Sequence, residues 1–179
     1  MKRIPSRIIV LFAITAFGFL AGAEEKPADK AAPKNAGFEK IKTLAGEWQV
    51  SHAPGEHGEH GGTVSYKVTA GGSAVLETLF AGTDHEMVTL YYMEGDDLSL
   101  THYCMLHNRP LMRAERSTNA NKIVFKCSAT ENAKIMAEDH MHQATFTFVD
   151  ADHFKSEWQL YKSGKPDATH GFEFARKKK

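Results

Sequence analysis

From Glu47 onward, large apolar residues recur at every second position in short runs, and most runs end in a cluster of Gly, Asn or Asp. Side chains alternate faces along a strand, so a period of two predicts half-buried β-strands rather than helices. About ten such runs can be drawn, at 46–53, 62–70, 73–81, 86–94, 97–106, 111–118, 121–129, 140–149, 153–162 and 168–176. Only Phe38 to Leu44 carries a helical pattern, and it is brief. Connections such as Gly95-Asp96, Asn119-Ala120-Asn121 and Asp150-Ala151-Asp152 are short enough to join antiparallel neighbours. Hairpin after hairpin with no intervening helix gives an up-and-down meander, and closure into a barrel removes its unpaired edges. The expected fold is all-β: an antiparallel up-and-down barrel of about ten strands with a short N-terminal helix. Its lumen takes Val64, Tyr66 and Val68; Leu98 and Leu100; Ile123, Phe125 and Cys127; Phe146 and Phe148; Phe154, Trp158 and Leu160; Phe172 and Phe174. The run from Glu86 to Met93 carries large residues on both faces, which leaves its inward face open.

Histidines interrupt this alternation on the inward side. His102 follows Leu98 and Leu100, His140 and His142 precede Ala144 and Phe146, and His170 precedes Phe172 and Phe174. An unsatisfied polar group in an apolar interior costs about 1–3 kcal/mol, so each imidazole needs a hydrogen-bond partner, a proton shift or a metal. Counting strand reversals places all four near one mouth of the barrel. Neutral imidazole is the commonest metal ligand, and a pair at i and i+2 joined by a third leaves a position open for water or substrate. Cys104, one step beyond His102 on the same face, would turn such a site toward zinc or copper; iron is the third candidate. The bland alternative is a set of core or rim histidines bonded to tyrosine, carboxylate or backbone. Two weaker clusters exist: His52, His57 and His60 in a Gly-rich stretch that reads as a solvated loop near the mouth, and His102, Cys104 and His107. Arg116 falls on the face of Met112 and Ala114, from which it would enter the barrel. No Ser-His-Asp order, phosphate-binding Gly loop or zinc-protease helix is present in the sequence.

The N-terminus changes the picture of where this barrel works. Lys2, Arg3 and Arg7 precede an apolar run from Ile8 to Leu20 and then Ala21-Gly22-Ala23, the layout of a secretory signal peptide over residues 1–23. The run is shorter than the roughly 20 residues a spanning helix needs, so no membrane insertion is expected after cleavage. The expected product is exported, periplasmic or secreted. Residues 24–37, rich in Ala, Lys and Pro, read as a flexible linker, and residues 38–176 as the barrel domain. Three of the 22 basic residues and no acidic one lie in the leader, so the mature chain has 19 basic and 22 acidic residues, a net charge of −3. That argues against nucleic acid as a partner and leaves a small molecule or a metal ion. Cys104 and Cys127 are the two cysteines, and in an oxidising compartment they form either a disulfide or two buried thiols.

Residues 38–48, FEKIKTLAGEW, place a short helical turn before Gly46-Glu47-Trp48. This resembles the G-x-W signature at the start of lipocalin-type and calycin barrels, over roughly residues 38–176. The resemblance implies that Trp48 closes one end of the barrel and packs against a basic residue of the last strand, here Arg176. Within that superfamily the chain looks most like exported bacterial calycin-type proteins of unsettled role. It is more distantly similar to nitrobindin, a ten-stranded haem-binding barrel whose ligating histidine lies close to the C-terminus, as His170 does here. Val50 stands where nitrobindin has a second glycine, which ranks haem below a transition metal. The leading expectation is a barrel that binds a small ligand or metal at a mouth lined by His102, His140, His142 and His170. The rivals are a metal-dependent enzyme with a three- or four-histidine centre, a haem protein, and a purely structural barrel.

Overall fold

The computed structural model describes residues 35–52 and 62–178. A short helix α1 (Ala36–Lys42) precedes ten strands: β1 (Gly46–His52), β2 (Gly62–Thr69), β3 (Ala74–Leu79), β4 (Met87–Glu94), β5 (Asp97–Tyr103), β6 (Leu111–Ala114), β7 (Lys122–Cys127), β8 (His140–Phe148), β9 (His153–Lys162) and β10 (Lys165–Arg176). Every strand pairs antiparallel with its sequence neighbours, and β1 also pairs with β10, so the sheet closes. Trp48 opposes Arg176 across that closing seam. Closure leaves no edge strand among the ten, the result expected from an uninterrupted meander.

The helix starts two residues earlier than the pattern from Phe38 predicts. Asn35 caps it, its side-chain oxygen accepting from the N–H groups of Gly37 and Phe38 at 2.9 and 3.2 Å. Asn35 also donates to the carbonyl of Asp96 in the β4–β5 turn, which fastens the cap to the barrel end. Phe38, Ile41 and Leu44 are buried and plug that end. Gly46 has φ +129, and a Cβ there would lie 3.2 Å from a guanidinium nitrogen of Arg176. The guanidinium itself lies 4.1 Å from the Trp48 ring centroid and donates to the carbonyls of Thr43, Ala45 and Ala151. Trp48 donates from its indole nitrogen to Leu44 O at 2.7 Å. One residue pair thus joins the helix, the first strand, the last strand and the β8–β9 turn.

The apolar core lies against this plugged end. Trp48 packs edge-on against Phe154 at 4.7 Å, and Phe154 stacks on Phe174 at 4.1 Å. Most of the residues expected inside are buried; Cys127 and Phe172 are partly so, and Val68, near the end of β2, is 37 % exposed. On β4 the inward side goes to Thr89 and Tyr91. Arg116 does not enter the barrel: it follows the end of β6, and its side chain is 92 % exposed near Asp97.

Candidate functional site

The inner wall is not uniformly apolar. Tyr66, Glu77, Thr89 and His102 oppose one another in register on β2, β3, β4 and β5, forming one row across four adjacent strands. All four are buried. The Tyr66 hydroxyl donates to Glu77 Oε1 at 2.5 Å, and the Tyr91 hydroxyl donates to Oε2 at 2.7 Å. Burial pushes the Glu77 carboxyl above the usual carboxylate range, while hydrogen bonds from both tyrosines and from Thr89 hold it back. Burial and the Glu77 charge push both tyrosines well above their ordinary value. Thr89 Oγ1 lies 2.9 Å from His102 Nδ1. With the Thr89 hydroxyl proton directed at the carboxylate, its oxygen accepts from His102 Nδ1–H. In that arrangement His102 Nε2 keeps its lone pair.

His102 is 2 % exposed, packs 4.7 Å from Trp158, and is pushed down to a pKa of about 4 by burial. It is therefore neutral near pH 7. With Trp158, His170 and Phe172 it lines a cavity of about 480 Å³ at the end of the barrel opposite α1. Met87, Met105, Met141, Leu79 and Phe80 supply most of the remaining apolar wall.

The expected four-histidine mouth divides into two places. His102 and His170 line the cavity, whereas His140 and His142 do not. The physical reason is a β-bulge. Ala144 opposes Trp158 and Met141 opposes Leu160, so three residues of β8 span two of β9, with an irregularity between Met141 and Gln143. Met141 takes the inward position, and the alternation that placed the histidines inside is broken. His140 instead opposes Tyr161, one residue beyond Leu160, and His142 stacks on the Tyr161 ring at 3.9 Å and 14°. His140 remains fully buried; its Nδ1 lies 2.8 Å from Glu138 O and its Nε2 lies 3.0 Å from His142 Nδ1. Cys127, at the end of β7, joins them: one ligand atom from each of Cys127, His140 and His142 lies within 4.8 Å of the others.

Cys104 belongs to neither place. It begins the turn after β5, and both cysteines are free thiols, which removes the disulfide expected as one alternative. Cys127 opposes Met112, which opposes Leu100, so Cys104 lies four residues further along. That offset of about 13 Å along the strand exceeds the Cα span of a disulfide. Cys127 donates weakly to Met141 O at 3.6 Å, and burial with the nearby Glu131 charge pushes its thiol up to about 12. His107 lies in the β5–β6 turn at φ +60, and His57 and His60 fall outside the described residues.

The sequence reading missed Glu77, Thr89 and Tyr91. The signal for Glu77 is present: in Val75-Glu77-Leu79 a glutamate occupies the inward alternation as the histidines do in theirs. The Tyr91 and Thr89 faces were hidden by Leu90 and Tyr92, which cover the outer side of β4.

Comparison with known proteins finds no family model that matches the chain and no curated protein with significant similarity to it.

Proposed function

We propose that this protein is an exported, calycin-like carrier that binds one small, largely apolar molecule bearing a hydrogen-bond donor, such as a phenol, an alcohol or an aryl amine. The observation that carries the reading is the cavity of about 480 Å³ with apolar walls and, in its lining, a buried histidine held at Nδ1 by Thr89. Pockets of a few hundred Å³ with few, well-placed polar groups are the usual sites of small ligands. His102 Nε2 is an acceptor, so the matching group on the ligand is a donor. Its low basicity makes it a poor general base near neutral pH, which favours binding over proton abstraction. Export rests on the N-terminal pattern of residues 1–23, and a calycin relationship on the G-x-W signature and the closed ten-strand meander.

The test uses N-phenyl-1-naphthylamine, an apolar fluorophore with one N–H donor, and its N-methylated form, which lacks it. The expected result is one probe per protein, with a change in Trp158 emission because that ring lines the site. His102→Leu should weaken the N–H probe about five- to tenfold, the worth of one neutral hydrogen bond, and leave the methylated probe unchanged. Absence of saturable binding, or equal losses for both probes, refutes the reading.

A further inference from the structure

We propose that Cys127, His140 and His142 form a site for a single thiolate-accepting transition-metal ion of the zinc class, separate from the barrel cavity. Three observations converge on it. The donor atoms are already gathered, with all three within 4.8 Å of one another. The His140 Nε2 and His142 Nδ1 separation of 3.0 Å is close to the roughly 3.3 Å expected between two nitrogens on a tetrahedral ion with bonds of about 2.0 Å. Both rings are also held from outside. His140 Nδ1–H donates to Glu138 O, the kind of outer partner that metal-bound histidines require, and His142 is stacked on Tyr161.

The bulge in β8 explains why two histidines at i and i+2 aim at one point. It adds a residue between Met141 and Gln143, so the pair does not follow the straight strand, and the end of β7 brings the cysteine alongside. With His140 Nδ1 donating to Glu138 O, its Nε2 carries a lone pair, and the proton in the His–His contact belongs to His142 Nδ1. An entering ion takes that contact over. His142 moves its proton to the other ring nitrogen, the Cys127 thiol gives up its proton, and one proton leaves per ion bound. A set of one sulfur and two imidazole nitrogens suits zinc or cuprous copper over calcium or magnesium, and it leaves a fourth position for water.

The experiment titrates zinc, against a chromophoric chelator, into the reduced protein purified without an affinity tag. Cobalt(II) is used in parallel to report tetrahedral thiolate coordination by its visible absorption. The expected result is one equivalent bound with release of one proton. Cys127→Ser and His142→Ala should each weaken binding at least about tenfold, while Cys104→Ser and His102→Leu leave it unchanged. A Cys127→Ser protein that fails to fold hands the decision to His142→Ala, whose side chain is only partly buried. Failure of the folded wild-type protein to take up zinc, uptake indifferent to both substitutions, or an equal loss in His102→Leu overturns the proposal. The N-phenyl-1-naphthylamine assay reads the cavity independently, so the two sites fail or stand separately.

Discussion

At the scale of single residues, the inward row of Tyr66, Glu77, Thr89 and His102 sets the behaviour of the cavity. A buried carboxyl is tolerable because each of its oxygens accepts from a tyrosine hydroxyl. Thr89, next in the row, holds His102 Nδ1 at 2.9 Å. Burying that imidazole as a neutral group has a pH signature. In the unfolded chain it binds a proton below about 6.5; in the folded chain it does so only near 4. Between those values the unfolded state holds more protons, so stability falls with falling pH. The gap between 6.5 and about 4 corresponds to about 3 kcal/mol, lost progressively as pH drops through that window. Glu77, with its carboxyl raised by burial, acts in the opposite direction at the acidic end. Denaturant unfolding followed from neutral pH to about 4 should therefore show a steeper loss for the wild type than for His102→Leu. Parallel curves would mean that His102 takes up its proton as readily in the native state as in the unfolded chain.

At the scale of elements, strand existence was legible in the sequence and strand regularity was not. Nine of the ten expected runs fall within a few residues of β1 to β9, and β10 starts three residues early at Lys165. Polar and glycine-rich turns mark strand ends locally, so they can be read from one stretch of chain. A bulge carries no comparable mark: that β8 gains a residue opposite β9 shows only in the register, where Met141 opposes Leu160 and Ala144 opposes Trp158. One extra residue was enough to keep His140 and His142 out of the cavity, while the regular β7–β8 register, with Lys126 opposite Gln143, carries Cys127 beside them. The buried polar row was half legible, through His102 and Glu77, because its members lie on four strands and meet only by register. The Trp48 and Arg176 pairing belongs to this scale as well, since one planar guanidinium serves three carbonyls and an aromatic face. Lysine keeps the charge and loses the fork. Arg176→Lys should cost about 2 kcal/mol in denaturant unfolding; a change too small to measure would show that the clamp is ornamental.

At the scale of the whole molecule, the barrel assigns its two ends different work. The end bearing α1 is packed shut by Phe38, Ile41, Leu44 and Trp48, and it carries the seam that closes the sheet. The other end keeps the cavity open among methionines, Trp158 and three histidines, His85, His102 and His170. Between them lies the polar row, with Phe146 and Phe154 bridging toward the core. This division predicts that stability and binding separate under mutation. Ile41 is fully buried at the plugged end and lines no part of the cavity. Ile41→Ala should therefore lose about 2–5 kcal/mol of folding stability through lost burial and the void left behind. Its affinity for N-phenyl-1-naphthylamine should stay within about twofold of wild type, because a closed ring of strands holds the far wall in register as long as the barrel is folded. His102→Leu should weaken probe binding at neutral pH while losing less stability than Ile41→Ala, about 1 kcal/mol, since Thr89 Oγ1 gives up one buried partner but no void of comparable size is left. If Ile41→Ala weakened the probe in proportion to its loss of stability, the two ends would act as one cooperative unit, and the cavity would depend on core packing for its shape.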